Sequence, residues 1–271
     1  LFLGFAALLV LLLAERLGIR YQSGDFTSAY LGEGEQIQMK FAGDDKTCLL
    51  IVDSRAAESV HAEEQFFQIL TDMRVPFERW DLAEQGIPDL SGRDTAVFAV
   101  GSVAPLGESV LDLCEWVGQG GRLMFGLPLQ KETTLDMIAG KLGMLELGYE
   151  QVAVEDLKLA EGFMLGGDVV YQITDPYDSA LSVSLNDDCQ VYASSADGRI
   201  PLIWEHRYQE GRFVLVNFGY CEKAYRGIYA AAYSLLEDVC IYPVINGSAF
   251  YIDDFPSPVP SGAGEYIMRD Y

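Results

Sequence analysis

Half of the 271 residues are hydrophobic, 15 Tyr and 14 Phe among them, which supplies a sizeable core and excludes wholesale disorder. Lys and Arg number 18 against 41 Asp and Glu, a net charge of −23. A surface this negative repels nucleic acid and anionic lipid headgroups, and acids scattered along the chain read as a solvated folded face.

The chain opens on Leu1–Ala14, an unbroken apolar or small stretch closed by Glu15 and Arg16. A bilayer crossing takes roughly 20 residues, and the first residue is not Met, so residues 1–16 read as the outer end of a longer transmembrane anchor. A cleavable signal peptide is the alternative, but no small-x-small cleavage site follows. A core helix is the other alternative, and a stretch apolar on all sides argues against it. Residues 17–45 have little periodicity and several glycines and read as a juxtamembrane linker. The expected location is the cell membrane, single-pass, with the folded part extracytoplasmic.

From residue 46 strands and helices alternate. Cys48–Val52 (CLLIV) is a continuous apolar run, as a strand buried on both faces requires. His61–Met73 has helical spacing, with Phe66, Phe67, Leu70 and Met73 on one face. Pro76–Trp80 and Thr95–Val100 read as strands. Gly107–Gly118 reads as a helix with Val110, Leu111, Cys114 and Val117 inward. Gly118-Gln119-Gly120-Gly121 reads as its C-cap, since it lies before a strand rather than at a helix N-terminus that could cradle phosphate. Arg122–Phe125 is the next strand and Lys131–Leu142 the next helix. Alternation of this kind implies an α/β fold, a doubly wound parallel sheet over residues 46–145. Ligands in such folds bind at the carboxyl ends of the strands, here at Asp53-Ser54-Arg55 and Gly101-Ser102.

Beyond residue 146 short strand-like runs appear at Val169–Thr174, Leu181–Val183, Gln190–Ala193, Ile200–Trp204 and Phe213–Phe218. Turn residues separate them, Asp197-Gly198 among these, so hairpins are expected, either as an insertion or as an extension of the sheet. Tyr225–Val239 reads as a closing helix with Ile228, Ala232, Leu235, Leu236 and Val239 inward. The folded unit is thus expected to span residues 46–240.

None of the five cysteines forms CxxC, and none is near His61 or His206 in sequence, which argues against a zinc cluster. Cys48 and Cys114 lie in apolar runs and read as buried core thiols. Cys221 and Cys240 could pair in an oxidising compartment.

The early strand, the helix, the TAVFAVGS strand and the GQGGRLMFG turn resemble the class I glutamine amidotransferase-like fold, a relative of flavodoxin, over about residues 46–240. The resemblance implies a nucleophilic Cys on a strained turn with His and Glu partners. Phe125-Gly126-Leu127 instead puts Leu at the plausible elbow. His206 has Glu205 beside it, but neighbours on a strand point to opposite faces. The expectation is a non-catalytic copy of the fold, an accessory domain.

Residues 241–260 read IYPVINGSAFYIDDFPSPVP, a strand end running into Asp253-Asp254 and a proline-rich loop. Two adjacent carboxylates at a strand tip are costly unless a cation or a reaction uses them; a solvated turn or helix N-cap is the alternative. The strand followed by Asp-Asp resembles the first motif of polysaccharide deacetylases, the family-four carbohydrate esterases, which are distorted (β/α) barrels. The resemblance implies that Asp253 is the general base and Asp254 a ligand of a divalent, zinc-like metal in a domain beginning at residues 241–271. Phe255 stands where that family has Gly, and its HxxxH histidines have no counterpart up to Tyr271.

The whole arrangement is similar to an uncharacterised bacterial family of membrane-anchored, deacetylase-like proteins associated with Pel-type exopolysaccharide. That similarity implies metal-dependent N-deacetylation of an amino-sugar polysaccharide by the longer protein, in company with a polysaccharide synthase or secretion complex, the present chain alone being inactive. The alternative is a non-catalytic membrane-anchored scaffold or sugar-binding protein.

Overall fold

The computed structural model describes residues 47–164, Gly167 and residues 169–240. The expected anchor, linker and Asp253-Asp254 strand tip lie outside the described residues. Among the described residues no helix is long and apolar enough to cross a membrane.

The architecture is mixed α/β. β1 (Cys48–Val52) is buried at every residue and pairs parallel with β2 (Phe77–Asp81) and β3 (Thr95–Phe98). β4 (Arg122–Phe125) continues the parallel array on β3, and β11 (Gly211–Val216) on β4. From β11 the pairing turns antiparallel through β10 (Pro201–Tyr208), β9 (Gln190–Ser194), β6 (Asp156–Leu159) and β7 (Val170–Gln172). One nine-stranded sheet results, ordered β2-β1-β3-β4-β11-β10-β9-β6-β7, beside a two-stranded antiparallel ribbon of β5 (Met144–Ala153) and β8 (Asp178–Leu185).

The pleat sends alternate residues of β1 to opposite faces. Cys48, Leu50 and Val52 join one core with Phe66, Ile69 and Leu70 of helix α1 (Ala57–Asp72) and Tyr229 and Ala232 of helix α5 (Arg226–Ser234). Leu49 and Ile51 join the other with Val110, Leu113 and Val117 of α3 (Val110–Gly118) and Leu135 and Ile138 of α4 (Thr133–Ile138). A further short helix, α2 (Leu82–Gln85), is N-capped by Asp81, whose carboxylate accepts from the Ala83 N–H. α3 ends as expected: the Gly121 N–H reaches back to the Trp116 carbonyl, and Gly120 takes the positive φ of 105° that only glycine adopts without strain.

The hairpin-rich segment extends the sheet rather than standing as an insertion, because β11 pairs parallel with β4. Other expectations need correction. Leu111 is exposed and Leu113 takes the inward place. Phe67 is half exposed and packs edge-on against Phe77. The helix expected over Lys131–Leu142 is α4 followed by a tighter turn, Ala139–Leu142, and the closing helix stops at Ser234, leaving Val239 exposed. All five cysteines are free, and burial pushes the Cys48 and Cys114 thiols up to about 11.

Candidate functional site

The carboxyl ends of the parallel strands open onto a cleft of about 310 Å³. Each wall follows from local sequence. Gly101 ends the β3 segment and Leu127-Pro128 the β4 segment, while Gln130 is fixed by its N–H donating to the Gly101 carbonyl at 2.7 Å. Glu58 enters from the first turn of α1. A Cβ placed on Gly101 would meet the Pro128 carbonyl oxygen at 3.5 Å and both Gln130 Nε2 and Glu58 Oε1 at 3.7 Å. Three polar groups therefore converge over the bare glycine.

The opposite wall comes from the ribbon and the end of β11. Asp175 takes a left-handed φ of 56°, tolerable for Asp, and Pro176 delivers Tyr177 to the rim. The Tyr177 ring lies 4.6 Å from that of Tyr220, and its hydroxyl donates to the Gly219 carbonyl at 2.9 Å. Tyr220 and Phe218 pack on Tyr225 in turn, so the exposed Tyr177 edges a fixed aromatic cluster. Asp178, Ser179 and Gln151 complete the lining. The Ser179 hydroxyl oxygen is buried without a hydrogen-bond partner, a state that costs about 1–3 kcal/mol unless something else binds there.

Of the strand ends singled out from the sequence, only Gly101 lines this cleft. Asp53 and Arg55 bind each other through two hydrogen bonds of 2.8 and 2.7 Å, and the guanidinium holds the Asp53 carboxyl below its usual range. Ser102 donates to Glu132, which also accepts from the Val103 N–H at 2.7 Å. These contacts tie loops together rather than face the opening. Leu127 is buried at the elbow, and a Cβ on Gly126 would sit 2.4 Å from the Phe66 ring. Glu205 and His206 diverge: Glu205 accepts from Tyr192, whereas His206 faces the Lys141 carbonyl. The inference that no cysteine meets a histidine is wrong in three dimensions. The β9–β10 pairing, with Glu205 opposite Gln190, brings Cys189 and Asp188 to His206. The signal was in the sequence, since a hairpin turning at Asp197-Gly198 places residue 189 across from 206.

Sequence and structure comparisons locate relatives of parts of the chain. The model of DUF2194, an uncharacterised protein conserved in bacteria, matches residues 177–271, starting at the cleft tyrosine. No curated protein matches. The fold is similar to part of a β-galactosidase from Rahnella sp. R3, with 13% identity and a TM-score of 0.50 over 70% of this chain and 31% of that one. It is also similar to a cytoplasmic protein from Salmonella typhimurium LT2, with 12% identity and a TM-score of 0.50 over 71% of this chain and 100% of that one. An exo-β-1,4-mannosidase from Opitutaceae bacterium strain TAV5 aligns at 15% identity and a TM-score of 0.49 over 70% of this chain and 36% of that one. The chain thus spans about a third of the length of the glycosidases it matches.

Proposed function

We propose that the described α/β domain is a non-catalytic accessory unit that binds an amino-sugar polysaccharide, within a longer membrane-anchored, extracytoplasmic polysaccharide deacetylase-like protein. The observation that carries this is the cleft's lining. It offers two carboxylates (Glu58, Asp178), two amides (Gln130, Gln151), the Ser179 hydroxyl and the Tyr177 ring, with no Lys, Arg, Cys or His among its lining residues. Carboxylates and amides accept from and donate to vicinal hydroxyls, an aromatic face covers the apolar side of a pyranose, and uncompensated acids favour a ligand carrying ammonium groups. Such a ligand is a partly deacetylated amino-sugar polymer. A buried Leu127 at the elbow fits an amidotransferase-like copy that has lost its chemistry.

On this reading the chemistry belongs to the domain that begins near residue 241, with Asp253 as general base and Asp254 on a divalent, zinc-like metal that generates a nucleophilic water. The experiment is acetate release from N-acetylhexosamine oligomers by the full-length protein, with and without chelator, alongside oligomer binding. Asp253→Asn should keep metal and lose turnover, and Asp254→Ala should lose metal. Glu58→Gln and Tyr177→Ala should weaken oligomer binding by about tenfold, 1.4 kcal/mol. A full-length protein that neither turns over nor binds oligomer would hand the case to a scaffold in a secretion complex.

A further inference from the structure

A second site lies away from the cleft, where β10 meets the turn that follows α4. Alternate residues of β10 share a face, and three of them grip this turn. The Trp204 indole N–H donates to the Leu142 carbonyl at 3.0 Å, His206 Nδ1 donates to the Lys141 carbonyl at 2.8 Å, and the Tyr208 hydroxyl accepts from Lys141 Nζ at 2.9 Å. A carbonyl only accepts, so the His206 proton sits on Nδ1. On the other side of the ring, Nε2 lies 3.4 Å from Asp188 Oδ2.

Cys189 supplies a third donor. The facing atoms of Asp188, Cys189 and His206 all lie within 4.8 Å of one another. The turn is shaped around them. Gly143 takes a φ of 79°, and a Cβ there would lie 2.2 Å from Cys189 Sγ and 3.0 Å from His206 Cγ, so no other residue fits. The Gly143 carbonyl accepts from the Asn186 N–H at 2.9 Å and from the Cys189 thiol at 3.4 Å, fixing the loop that carries both Asp188 and Cys189. His206 is buried, Cys189 half-buried and Asp188 exposed, so the cluster opens outward.

We propose that Asp188, Cys189 and His206 form a divalent-metal site of zinc class, with a solvent molecule in the fourth position. One nitrogen, one sulfur and one oxygen donor in a small cluster match the borderline-soft preference of Zn²⁺. The Nδ1–H to backbone-carbonyl bond is the outer contact that fixes the tautomer of a metal-binding imidazole. On binding, the Cys189 thiol loses its proton to solvent and the thiolate takes the metal. The ion pins the β9–β10 hairpin to the turn at Gly143.

The test is titration of the reduced 271-residue chain with Co²⁺ and with Zn²⁺. One equivalent of Co²⁺ should give a thiolate-to-cobalt charge-transfer band that Zn²⁺ abolishes. Cys189→Ser should remove the band, and Asp188→Asn, an exposed change that spares the core, should weaken binding at least about tenfold. Asp254→Ala should leave the band intact, which separates this site from the Asp253-Asp254 pair. No band in the wild-type chain, or a band that survives Cys189→Ser, overturns the proposal. So does metal binding lost only with Asp254→Ala, an outcome that would favour the deacetylase reading instead.

Discussion

Asn217, one residue beyond β11, pairs with both backbone groups of Leu181 on β8: its side-chain oxygen accepts from the Leu181 N–H at 2.7 Å and its amide donates to the Leu181 carbonyl at 2.8 Å. The same amide donates to the Pro201 carbonyl at 2.9 Å, and Asn217 is buried. One side chain thus acts as a rung between the ribbon and the large sheet. It also holds the strand whose first residues, Asp178 and Ser179, line the cleft.

Asn217→Ala leaves three buried backbone groups unpaired, at about 1–3 kcal/mol each. The expected loss of unfolding free energy is therefore on the order of 3 kcal/mol or more, read by urea denaturation. Asn217→Asp keeps the acceptor but turns the donor into an oxygen aimed at two carbonyls. It should destabilise at least as much at neutral pH, and a variant of unchanged stability would contradict the bridging role.

Gly126→Ala tests the packing of α1 on β4. Its Cβ would lie 2.4 Å from the Phe66 ring, which is fully buried and meets Tyr229 edge-on at 5.7 Å. The ring cannot withdraw, so overpacking should cost about 1–3 kcal/mol. Shrinking the ring in a Gly126→Ala/Phe66→Leu double variant should recover part of that loss, and strict additivity of the two changes would refute the contact.

Acid sensitivity follows from depressed carboxyls. Burial works against ionisation of Asp81, yet the Ser54 and Ala83 N–H groups and Arg79 hold its carboxyl below the usual range. The Asp197 carboxyl, bonded by Ser195 and Arg199, is held down to about 2. Folded values below the unfolded value of about 3.9 give stability that is complete above that pH and lost as the pH falls through the folded values. Denaturation midpoints should be level from about pH 7 to 5 on this account and fall toward pH 2. Asp81→Asn should lower the plateau and flatten the fall; an equally steep fall in that variant would show that Asp81 is not a source of it.

Two further expectations concern the ends of the chain. Reporter fusions after residue 45 should be active only outside the cytoplasm if Leu1–Ala14 belongs to an anchor, and activity confined to the cytoplasm would overturn that reading. Residues 46–240 should express as a unit with a single cooperative melt by circular dichroism. A persistently unfolded product would move the domain boundary.

The sequence by itself determined the elements whose burial is complete. CLLIV and RLMF are strands to the residue, because a strand is apolar wherever both faces are covered and only Arg122, at the less buried start of RLMF, departs from that, and Gly120 of GQGG ends α3 because it takes a φ of 105° that only glycine adopts without strain. β5 (MLELGYEQVA) escaped notice, since it is largely exposed and carries two glutamates and a glycine where a buried strand would have Val or Ile. Leu111 and Leu113 could not be ranked by apolarity alone, because the start of α3 sets which of them faces the sheet. The tertiary structure decided the cleft, and it fixed the pairing behind the second site that the turn at Asp197-Gly198 only suggested. Glu58, Gly101 and Gln130 lie far apart along the chain and converge because parallel strands all end at one edge, and Tyr177 meets them from just before β8 in the antiparallel ribbon. Asp188, Cys189 and His206 meet because antiparallel pairing brings residues from opposite sides of a turn to the same height, an adjacency that spacing motifs do not encode.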